Sequence, residues 1–522
     1  MKHLMAIDAG TTGIRAIIFD EDSQMVSHAY ETIELHQPRP GWSEQDPNGV
    51  WQACQQVMKQ ALTESRLEAQ DIETIGVATL RSTNLLWRSD GRPLYNAITW
   101  HDTRTADLCR EMDNQGKIRA ARGLGHVARA LSSIWPALRR GQTAGRLITA
   151  SHLSFTPASA LAHTAWLLDN VEDARSLASR DELRCGTMDT WLLWNLTGGT
   201  VHATDTSNAS ATGMYDPYSL SWSSLFLDAF DIPEGILPEV QDTAGLYGYL
   251  DERILGREIP ITGVVADQQG ALFGETCFEP GEVKCTNGTG TFIDMNVGDR
   301  PAASLHRLVP MIAWSINGRV TYMLEGMINT TGAAVQWLRD NLGVIDHVDQ
   351  SCQMAQCIED AGDIYFVPAF TGLSSPYWDP HACGIVVGLH RTTTKEHIVR
   401  AVLEGIVYRC RDIMLSMERD AGLPVRSITA DGGASKNDFL LQFMADMLDV
   451  HVERPRMLDG TALGAAYLAG LAADVWESKE ELRKRRQVEQ TFKPAMPSEK
   501  RERLYAGWRR AVEKSFRWRH SA

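Results

Sequence analysis

The chain has 522 residues, of which 43% are hydrophobic and 22% charged, close to the average of globular proteins. That length exceeds the roughly 250–300 residues at which a single core usually divides, so we expect at least two domains. Lysine and arginine total 51 against 66 aspartate and glutamate, a formal net charge of −15, which argues against nucleic acid or an anionic membrane as the main partner.

The cysteines and the apolar segments indicate the compartment. The nine cysteines are odd in number and irregularly spaced, and the close pair Cys352 and Cys357 lacks the spacing of a zinc site. The N-terminal MKHLMAIDAG does not resemble a signal peptide, and no apolar run is long enough to span a membrane. We therefore expect reduced thiols in a soluble, cytoplasmic protein that binds no membrane.

The N-terminal segments predict a sheet followed by a helix. LMAID and RAIIFD are apolar runs around the turn GTTGI, and VSHAYETIEL follows the turn EDSQ, an order typical of antiparallel hairpins. Residues 47–65 carry Trp51, Cys54, Met58 and Leu62 at helical spacing. The strand IGVAT comes next, and this alternation indicates the α/β class.

The second half of the chain repeats this order. GEVKCTNGTGTFIDMNV predicts two strands around a Gly/Thr turn, and SITADGGASKNDFLLQFMADML predicts a strand followed by a helix. Two halves of this kind indicate related domains that face one cleft. We expect an N-terminal domain at 1–273 on the substrate and phosphate side, a C-terminal domain at 274–470 on the nucleotide side, and a helical, charge-rich cap at 471–522.

Residues 114–168 differ from the rest of the chain because they contain no aspartate or glutamate. The same stretch, called the basic stretch below, holds Lys117, Arg119, Arg122, Arg129, Arg139, Arg140 and Arg146. We interpret it first as a solvated, loosely ordered insertion. A basic patch for an anionic partner and a locally shifted reading frame, affecting about 118–163, are the two alternatives.

Two Gly/Thr turns are candidates for binding phosphate. In Asp8-Ala9-Gly10-Thr11-Thr12-Gly13, the glycines allow successive backbone N–H groups to point at one anion, and the threonines add hydroxyl donors. Asp8 could hold the Mg²⁺ that phosphates carry. Asn287-Gly288-Thr289-Gly290-Thr291 is a second such turn, although an ordinary hairpin has the same pattern.

Asp267 is the candidate general base. The apolar run Val264-Val265-Ala266 ends in Asp267-Gln268-Gln269-Gly270, which puts a carboxylate at the end of a strand. A hydroxyl that attacks a γ-phosphate must lose its proton, and a carboxylate within hydrogen-bond reach can accept it. The alternative is a helix N-cap, a position that aspartate also favours.

A fourth segment, Asp431-Gly432-Gly433-Ala434-Ser435-Lys436-Asn437, lets a planar ring approach the backbone ahead of a helix N-terminus. In this order the four segments resemble those of the FGGY carbohydrate kinases, in which glycerol kinases are the most similar group. The resemblance covers nearly the whole chain except about 118–157, and includes residues 41–47, 95–106, 186–194, 367–380 and 461–472.

The resemblance implies an α/β fold with two actin-like (ribonuclease H-like) ATPase domains flanking an interdomain cleft. It also implies ATP-dependent phosphorylation of a hydroxyl of a small polyol or sugar with Mg²⁺, with glycerol as the leading substrate and glycerol 3-phosphate as its product. A homodimer or homotetramer is the expected assembly.

The site residues are carried over on the same resemblance. The residues expected to contact ATP phosphates are Thr11, Thr12, Gly13 and Arg15, and those expected to complete the nucleotide site are Thr289, Gly332, Gln336, Gly433 and Asn437. Asp267 is implied as the general base, with Arg81 and Gln268 holding substrate hydroxyls. Trp100 and Phe292 are implied to pack on the carbon skeleton, although both also fit plain core packing.

The departures from the glycerol kinase pattern concern the substrate. Glycerol kinases carry a glutamate immediately after the arginine, where this chain has Ser82, and a tyrosine at the position of Ala158. Losing the carboxylate removes a strong hydroxyl acceptor, and losing the tyrosine opens volume. Both changes could admit a bulkier polyol or ketose of the erythritol, ribitol, xylulose or ribulose type, with glycerol still the leading substrate. An inactive kinase paralogue and a nucleotide-switched binding module are the competing interpretations.

Overall fold

The computed structural model describes residues 2–135 and 142–519. Arg139 and Arg140 of the basic stretch lie outside the described residues. Within the described part of the chain, no helix is both long and apolar enough to cross a membrane.

The strands and helices alternate along the chain, as the α/β class requires. In chain order the strands are β1 (His3–Ala9), β2 (Gly13–Asp20), β3 (Met25–Thr32), β4 (Glu44–Gln45), β5 (Ile72–Thr79), β6 (Asn84–Arg88), β7 (Ala97–Ile98), β8 (Leu183–Thr187), β9 (Ala203–Asp205), β10 (Tyr215–Asp216), β11 (Ser221–Trp222), β12 (Glu239–Gln241), β13 (Ala244–Tyr249), β14 (Pro260–Ala266), β15 (Glu282–Asn287), β16 (Thr291–Gly298), β17 (Val309–Ile316), β18 (Arg319–Ile328), β19 (Tyr365–Val367), β20 (Ile385–Val387), β21 (Ser427–Asp431), β22 (Val452–Pro455) and β23 (Val488–Phe492). The helices are α1 (Pro47–Ser65), α2 (Ala106–Asp113), α3 (Gly116–Ile134), α4 (Gln142–Ala150), α5 (Ala160–Asn170), α6 (Ala174–Ser179), α7 (Met188–Leu196), α8 (Thr206–Ala211), α9 (Ser224–Ala229), α10 (Glu252–Leu255), α11 (Asp267–Gly274), α12 (Gly332–Asp340), α13 (Gln350–Gln356), α14 (Lys395–Ala421), α15 (Asp438–Leu448), α16 (Gly460–Ala472), α17 (Lys479–Arg485) and α18 (Ser498–Ser515).

One sheet of 13 strands runs through both halves, in the order β23-β22-β21-β15-β16-β18-β17-β13-β14-β5-β1-β2-β3. In the first half β3, β2 and β1 are antiparallel neighbours, β5 and β14 follow in parallel, and β13 is antiparallel to β14. In the second half β18, β16 and β15 are antiparallel, β21 and β22 follow in parallel, and β23 is antiparallel to β22. The same six-strand pattern therefore occurs twice, which confirms the prediction of two related α/β halves.

The predicted N-terminal elements are present. β1, β2 and β3 form the two hairpins, and α1 spans the segment that showed helical spacing. Asp46 precedes this helix and accepts a hydrogen bond from the Asn48 backbone N–H, Pro47 occupies its first turn, and Arg66 ends it in the left-handed conformation. These are favourable cap residues and positions.

The C-terminal segment is not purely helical, unlike the expected cap. It contains α17 and α18, and between them β23 pairs antiparallel with β22 at the sheet edge. An edge strand exposes a row of unpaired backbone groups, and β23 covers that edge while burying Phe492.

The described part of the basic stretch is mainly helical rather than loosely ordered, with irregular structure at 151–159. α3 and α4 pack against each other, with Ile118 and Ile148 buried. The outer side of α3 nevertheless exposes apolar side chains, at Leu124, Val127, Leu131 and Ile134.

α11 and α16 are the helices that bring the halves together. α16 follows β22 of the second half in the chain, yet it packs against α11 and against β1, β5 and β14 of the first half. The contact is close because glycines face it: a Cβ at Gly464 would lie 1.8 Å from the Gly270 carbonyl oxygen. The predicted boundary near residue 273 falls at the end of α11.

Candidate active site

Asp267 and Arg81 lie together at one edge of the sheet. Asp267 begins α11 directly after β14, and Arg81 follows β5, so parallel neighbouring strands deliver both residues to the same edge. Arg81 Nε lies 3.4 Å from Asp267 Oδ1, and its Nη1 lies 2.7 Å from Glu325 Oε2. The carboxylate of Asp267 remains 30% exposed, so a small molecule in the cleft can reach it.

The alternative role of Asp267, as a helix N-cap, would use little of the hydrogen-bonding capacity of its carboxylate. The N-cap position of α11 is Ala266, and Asp267 is the first helical residue. Its Oδ1 accepts a hydrogen bond from the neighbouring Gln268 N–H at 2.7 Å. The other carboxylate oxygen remains available for chemistry in the cleft.

Behind this pair, a buried row of charges crosses three strands. Lys284 on β15 lies opposite Asp294 on β16, and Asp294 lies opposite Glu325 on β18. Lys284 Nζ donates to Asp294 Oδ2 at 2.7 Å and to Gln268 Oε1 at 2.6 Å. Through Lys284 the row binds the side chain of Gln268, and through Glu325 it binds that of Arg81.

Within this row, burial dominates the ionisation of Glu325. It raises the pKa of Glu325 to about 7; the charge of Asp294 acts in the same direction, while Arg81 opposes it. Sequence reasoning missed Lys284, Asp294 and Glu325. The available signal was a charged residue inside each of the apolar strands EVKCTN, TFIDMNV and YMLEGM, since a buried charge requires a partner.

The first predicted phosphate turn connects β1 and β2. The Gly10 N–H donates to the Gly13 carbonyl at 2.8 Å, which closes the turn, and Thr12 is exposed. Thr11 Oγ1 accepts a hydrogen bond from Trp100 Nε1 at 3.1 Å. Predicted phosphate and substrate residues are thus in direct contact.

Arg15 and Asp8 form an ion pair beside this turn. Arg15 Nε donates to Asp8 Oδ2 at 2.8 Å, and Arg15 Nη1 pairs with Asp459, just before α16. Burial raises the pKa of Asp8, an effect that Arg15 opposes and that the nearby charges of Asp267 and Asp459 reinforce. Asp8 and Asp459 therefore flank Arg15, and Asp267 lies close enough for its charge to act on Asp8.

The second predicted turn contacts the start of α12. Thr289 is exposed between β15 and β16, and the Gly332 N–H donates to the Gly288 carbonyl at 3.0 Å. A Cβ at Gly332 would lie 2.6 Å from that carbonyl oxygen, so glycine is needed for this approach. Gln336 is exposed one turn further along α12.

The fourth segment lies beside the second turn. Gly432, at φ +85°, packs against the Asn287 backbone, whereas a Cβ at Gly433 would meet open space. That opening fits the close approach of a planar ring. Asn437 caps α15, where its Oδ1 accepts from the Leu440 N–H at 3.1 Å, so its side chain also has a structural role.

The remaining predicted residues surround Arg81. Its guanidinium lies 5.5 Å from the ring centroid of Phe292, which is half-buried. Trp100 stacks on His101 with ring centroids 3.6 Å apart. The Ser82 hydroxyl donates to the Ala211 carbonyl at 2.9 Å, so this side chain supplies no carboxylate to the cleft.

Two family models match the chain. One, the FGGY family of carbohydrate kinases, C-terminal domain, matches residues 283–473, and its N-terminal counterpart matches 3–131 and 128–274. The two N-terminal stretches meet inside the basic stretch, where the resemblance found from sequence is also interrupted.

Curated relatives match over the full length. A glycerol kinase of Caldanaerobacter subterraneus subsp. tengcongensis is 45% identical over 521 residues, and glycerol kinase 2 of Thermotoga maritima is 45% identical over 519 residues. Each alignment covers 99% of both chains.

Solved structures share the fold. The structure of Plasmodium falciparum glycerol kinase with ADP has a TM-score of 0.88 at 29% identity, covering 99% of this chain and 98% of that one. A ligand-bound xylulose kinase of Lactobacillus acidophilus has a TM-score of 0.81 at 22% identity, covering 99% of both chains. At that lower identity the likeness concerns the fold alone.

Proposed function

The chain belongs to the FGGY family of carbohydrate kinases and is an ATP-dependent kinase of a small polyol or sugar; from that premise we propose that glycerol is its substrate and glycerol 3-phosphate its product. The observation that carries the proposal is the exposed Asp267 carboxylate held 3.4 Å from Arg81 at the cleft edge. The full-length relatives named glycerol kinase support the choice of glycerol.

Asp267 would act as the general base. As the substrate hydroxyl oxygen attacks the γ-phosphorus, its proton passes to the Asp267 carboxylate, the bond from the γ-phosphorus to the bridging oxygen breaks, and ADP leaves. Arg81 and Gln268 would hold the substrate hydroxyls, while Phe292 and Trp100 would contact its carbon atoms. Water in an open cleft would compete for the phosphoryl group, so closure of the two halves would favour transfer.

The two Gly/Thr turns would hold the nucleotide phosphates from opposite sides. Thr11, Thr12 and Gly13 would donate hydrogen bonds from the first half, and Thr289 from the second. Gly332, Gln336, Gly433 and Asn437 would surround the rest of the nucleotide. Arg15 would neutralise phosphate charge, although its pairs with Asp8 and Asp459 must loosen for it to reach outward.

Mg²⁺ fits this site as an ion carried by the nucleotide. Within residues 2–135 and 142–519, no group of three or more histidine, cysteine or acidic side chains is placed to hold a metal by itself. Burial raises the pKa of Asp8, and the charges of Asp267 and Asp459 add to that effect, so a cation at Asp8 would stabilise its ionised form. Mg²⁺ is commonly bound by one or two carboxylates together with phosphates, and it would neutralise charge on the transferred group.

A bulkier polyol or ketose is the second candidate. Ser82 occupies the position of a glycerol kinase glutamate, and its hydroxyl is bound to the Ala211 carbonyl. The space and hydrogen-bonding capacity near Arg81 therefore differ from the glycerol kinase pattern.

A coupled assay of ADP release over glycerol, dihydroxyacetone, erythritol, ribitol, xylulose and ribulose tests the substrate. We expect the highest kcat/KM with glycerol. A higher value with one of the larger compounds would contradict glycerol and favour the second candidate. If none of the six compounds increases ADP release, the result would instead indicate the inactive paralogue.

The domain limits and the assembly complete the proposal. We place the substrate and phosphate domain at 1–273, the nucleotide domain at 274–470 and the C-terminal cap at 471–522. A cytoplasmic homodimer or homotetramer is the proposed state, which sedimentation equilibrium of the full chain would test.

A further inference from the structure

A concave surface on the second half of the chain carries a concentration of positive charge. It encloses about 470 Å³ and is lined by Arg307, Arg419, Arg509 and His306, with Arg129 and His152 of the basic stretch closing one side. We call this the arginine pocket. In a chain with a formal net charge of −15, four arginines around one cavity require an explanation.

These arginines have no acidic partner within the part of the chain that the structure describes. None of the four makes an ion pair there, in contrast to Arg400, Arg409 and Arg411 on the neighbouring α14. Arg307, Arg419 and Arg509 are exposed at the rim. Their charge is therefore not neutralised by the fold.

Acidic groups near the pocket already have partners of their own. Asp412 is buried, accepts hydrogen bonds from Tyr505 at 2.7 Å and from Trp508, and pairs with Arg409 at 3.3 Å. Asp420 binds His306 Nδ1 at 2.7 Å. Neither carboxylate compensates the arginines at the rim.

The positive charge of the pocket affects the ionisation of His152, which lines its other side. The pKa of His152 is lowered, first by burial and then by the positive charges of Arg129 and Arg307. The guanidinium of Arg129 donates a hydrogen bond to His152 Nε2, which the neutral imidazole can accept. This contact leaves the positive charge of Arg129 without compensation from an acidic group among the described residues.

The walls and the size suit a small molecule. The floor is formed by Pro376, Tyr377, Leu415 and Tyr505, and the volume lies within the roughly 300–1,000 Å³ of small-ligand sites. Arginine is the side chain best suited to bind phosphate oxygens in a forked geometry.

We propose that the arginine pocket is a second ligand site of this kinase, separate from the catalytic cleft, which binds a small anion with two or more phosphate groups. Arg307, Arg419 and Arg509 would contact the phosphates, and Arg129 would add a fourth contact from the basic stretch. The ligand would connect the basic stretch to α14 and α18.

Isothermal titration of the full chain with pyrophosphate tests the proposal. The protein is kept saturated with ADP, so that the nucleotide site is filled, and a titration with sodium chloride of equal ionic strength measures the general salt effect. We expect saturable binding of pyrophosphate by the unaltered chain. The double variant R419A/R509A should bind it at least about ten-fold more weakly, since each of the two substitutions removes a charge-assisted contact.

The matched control is R503A/R510A, because both arginines are exposed on α18 outside the pocket. It should bind pyrophosphate within about two-fold of the unaltered chain. Absence of binding at millimolar pyrophosphate would overturn the proposal. Equal affinities of the two double variants would also overturn it. The same result follows if the titration with sodium chloride releases or absorbs the same heat as the titration with pyrophosphate. Because the readout is binding, these outcomes are independent of kinase activity and of the substrate's identity.

Discussion

At the residue scale, Lys284 connects the buried row of charges to the substrate side of the cleft. Its ammonium group is fully buried and divides its hydrogen bonds between Asp294 and Gln268. A hydrogen bond from a charged donor restricts an amide side chain more than a hydrogen bond between neutral groups does. We therefore treat Lys284 as a positioning residue for Gln268.

Replacing Lys284 by methionine should lower kcat/KM for the polyol by about 10–100-fold, since hydrogen bonds to charged groups contribute about 1.5–3 kcal/mol. KM for ATP should change little. The single variant also leaves Asp294 buried without a partner, which is strongly destabilising.

The control is therefore K284M/D294L, which removes both charges of the pair and should recover much of the stability. It should retain the lowered kcat/KM for the polyol, which we expect to arise from a raised KM, because Gln268 still lacks its donor. Steady-state kinetics and chemical unfolding of both variants measure the two effects. A polyol KM at the unaltered value in the double variant would contradict the positioning role.

Glu325 should make the stability of the fold depend on pH. Burial raises its folded-state pKa to about 7, so between the ordinary glutamate value and about 7 the folded state binds the proton more tightly than the unfolded state. The free energy of unfolding contributed by this group then falls as pH rises through that interval.

The variant E325Q cannot titrate at this position. We expect its free energy of unfolding, relative to that of the unaltered chain, to increase as pH rises from about 5 to about 8. Urea unfolding of both proteins across this range gives the difference. A constant difference would show that Glu325 is already ionised throughout.

Some of the residues that sequence reasoning named have a local signature, whereas others, such as Arg81 and Gln336, came from the family resemblance alone. Asp267 follows an apolar strand, and Thr12 and Thr289 occupy Gly/Thr turns, so each could be found from its neighbours. Lys284 and Glu325 acquire their roles only because β15, β16 and β18 are adjacent. That adjacency is a property of the sheet order, which local sequence does not contain.

At the element scale, the packing of α11 against α16 depends on glycine. The carbonyl of Gly270 occupies the space where a larger residue at 464 would place its Cβ. In this contact one helix backbone meets another, so a clash cannot be relieved by the rotation of a flexible side chain. Because Asp267 begins α11, the spacing of these helices also positions the carboxylate that we propose as the general base.

Replacing Gly464 by alanine should lower the free energy of unfolding by about 1–3 kcal/mol, the usual cost of overpacking. The activity per folded molecule should fall as well, since α11 must shift. Gly245→Ala is the control, because a Cβ at that position on β13 would meet no atom within 4 Å. Equal stabilities of the two variants would contradict the account of this contact.

Elements with strong local signals were predicted well, and elements decided by tertiary contact were not. α1 has an apolar stripe and favourable caps, so its limits followed from sequence. β23 lies in a charge-rich segment and becomes a strand because the edge of β22 needs a partner.

At the scale of the whole molecule, the repeated six-strand pattern divides the predicted phosphate turns between the two halves. Each half supplies one Gly/Thr turn, and the continuous sheet sets the two turns on either side of the edge where Asp267 lies. The repeat could be predicted from the order of motifs. The crossing of α16 from the second half onto the first could not, because it depends on glycine-lined contacts between distant segments.

Turnover of the Asp267→Asn variant with glycerol tests the central claim most directly. Asparagine keeps the size of the side chain but cannot accept the hydroxyl proton, so we expect kcat to fall by at least about 100-fold while ADP and ATP bind as they do to the unaltered chain. The measurement is ADP release at saturating glycerol and ATP, beside nucleotide binding by calorimetry. Near-normal kcat in this variant would contradict the role of Asp267 and, with it, the mechanism proposed for the cleft.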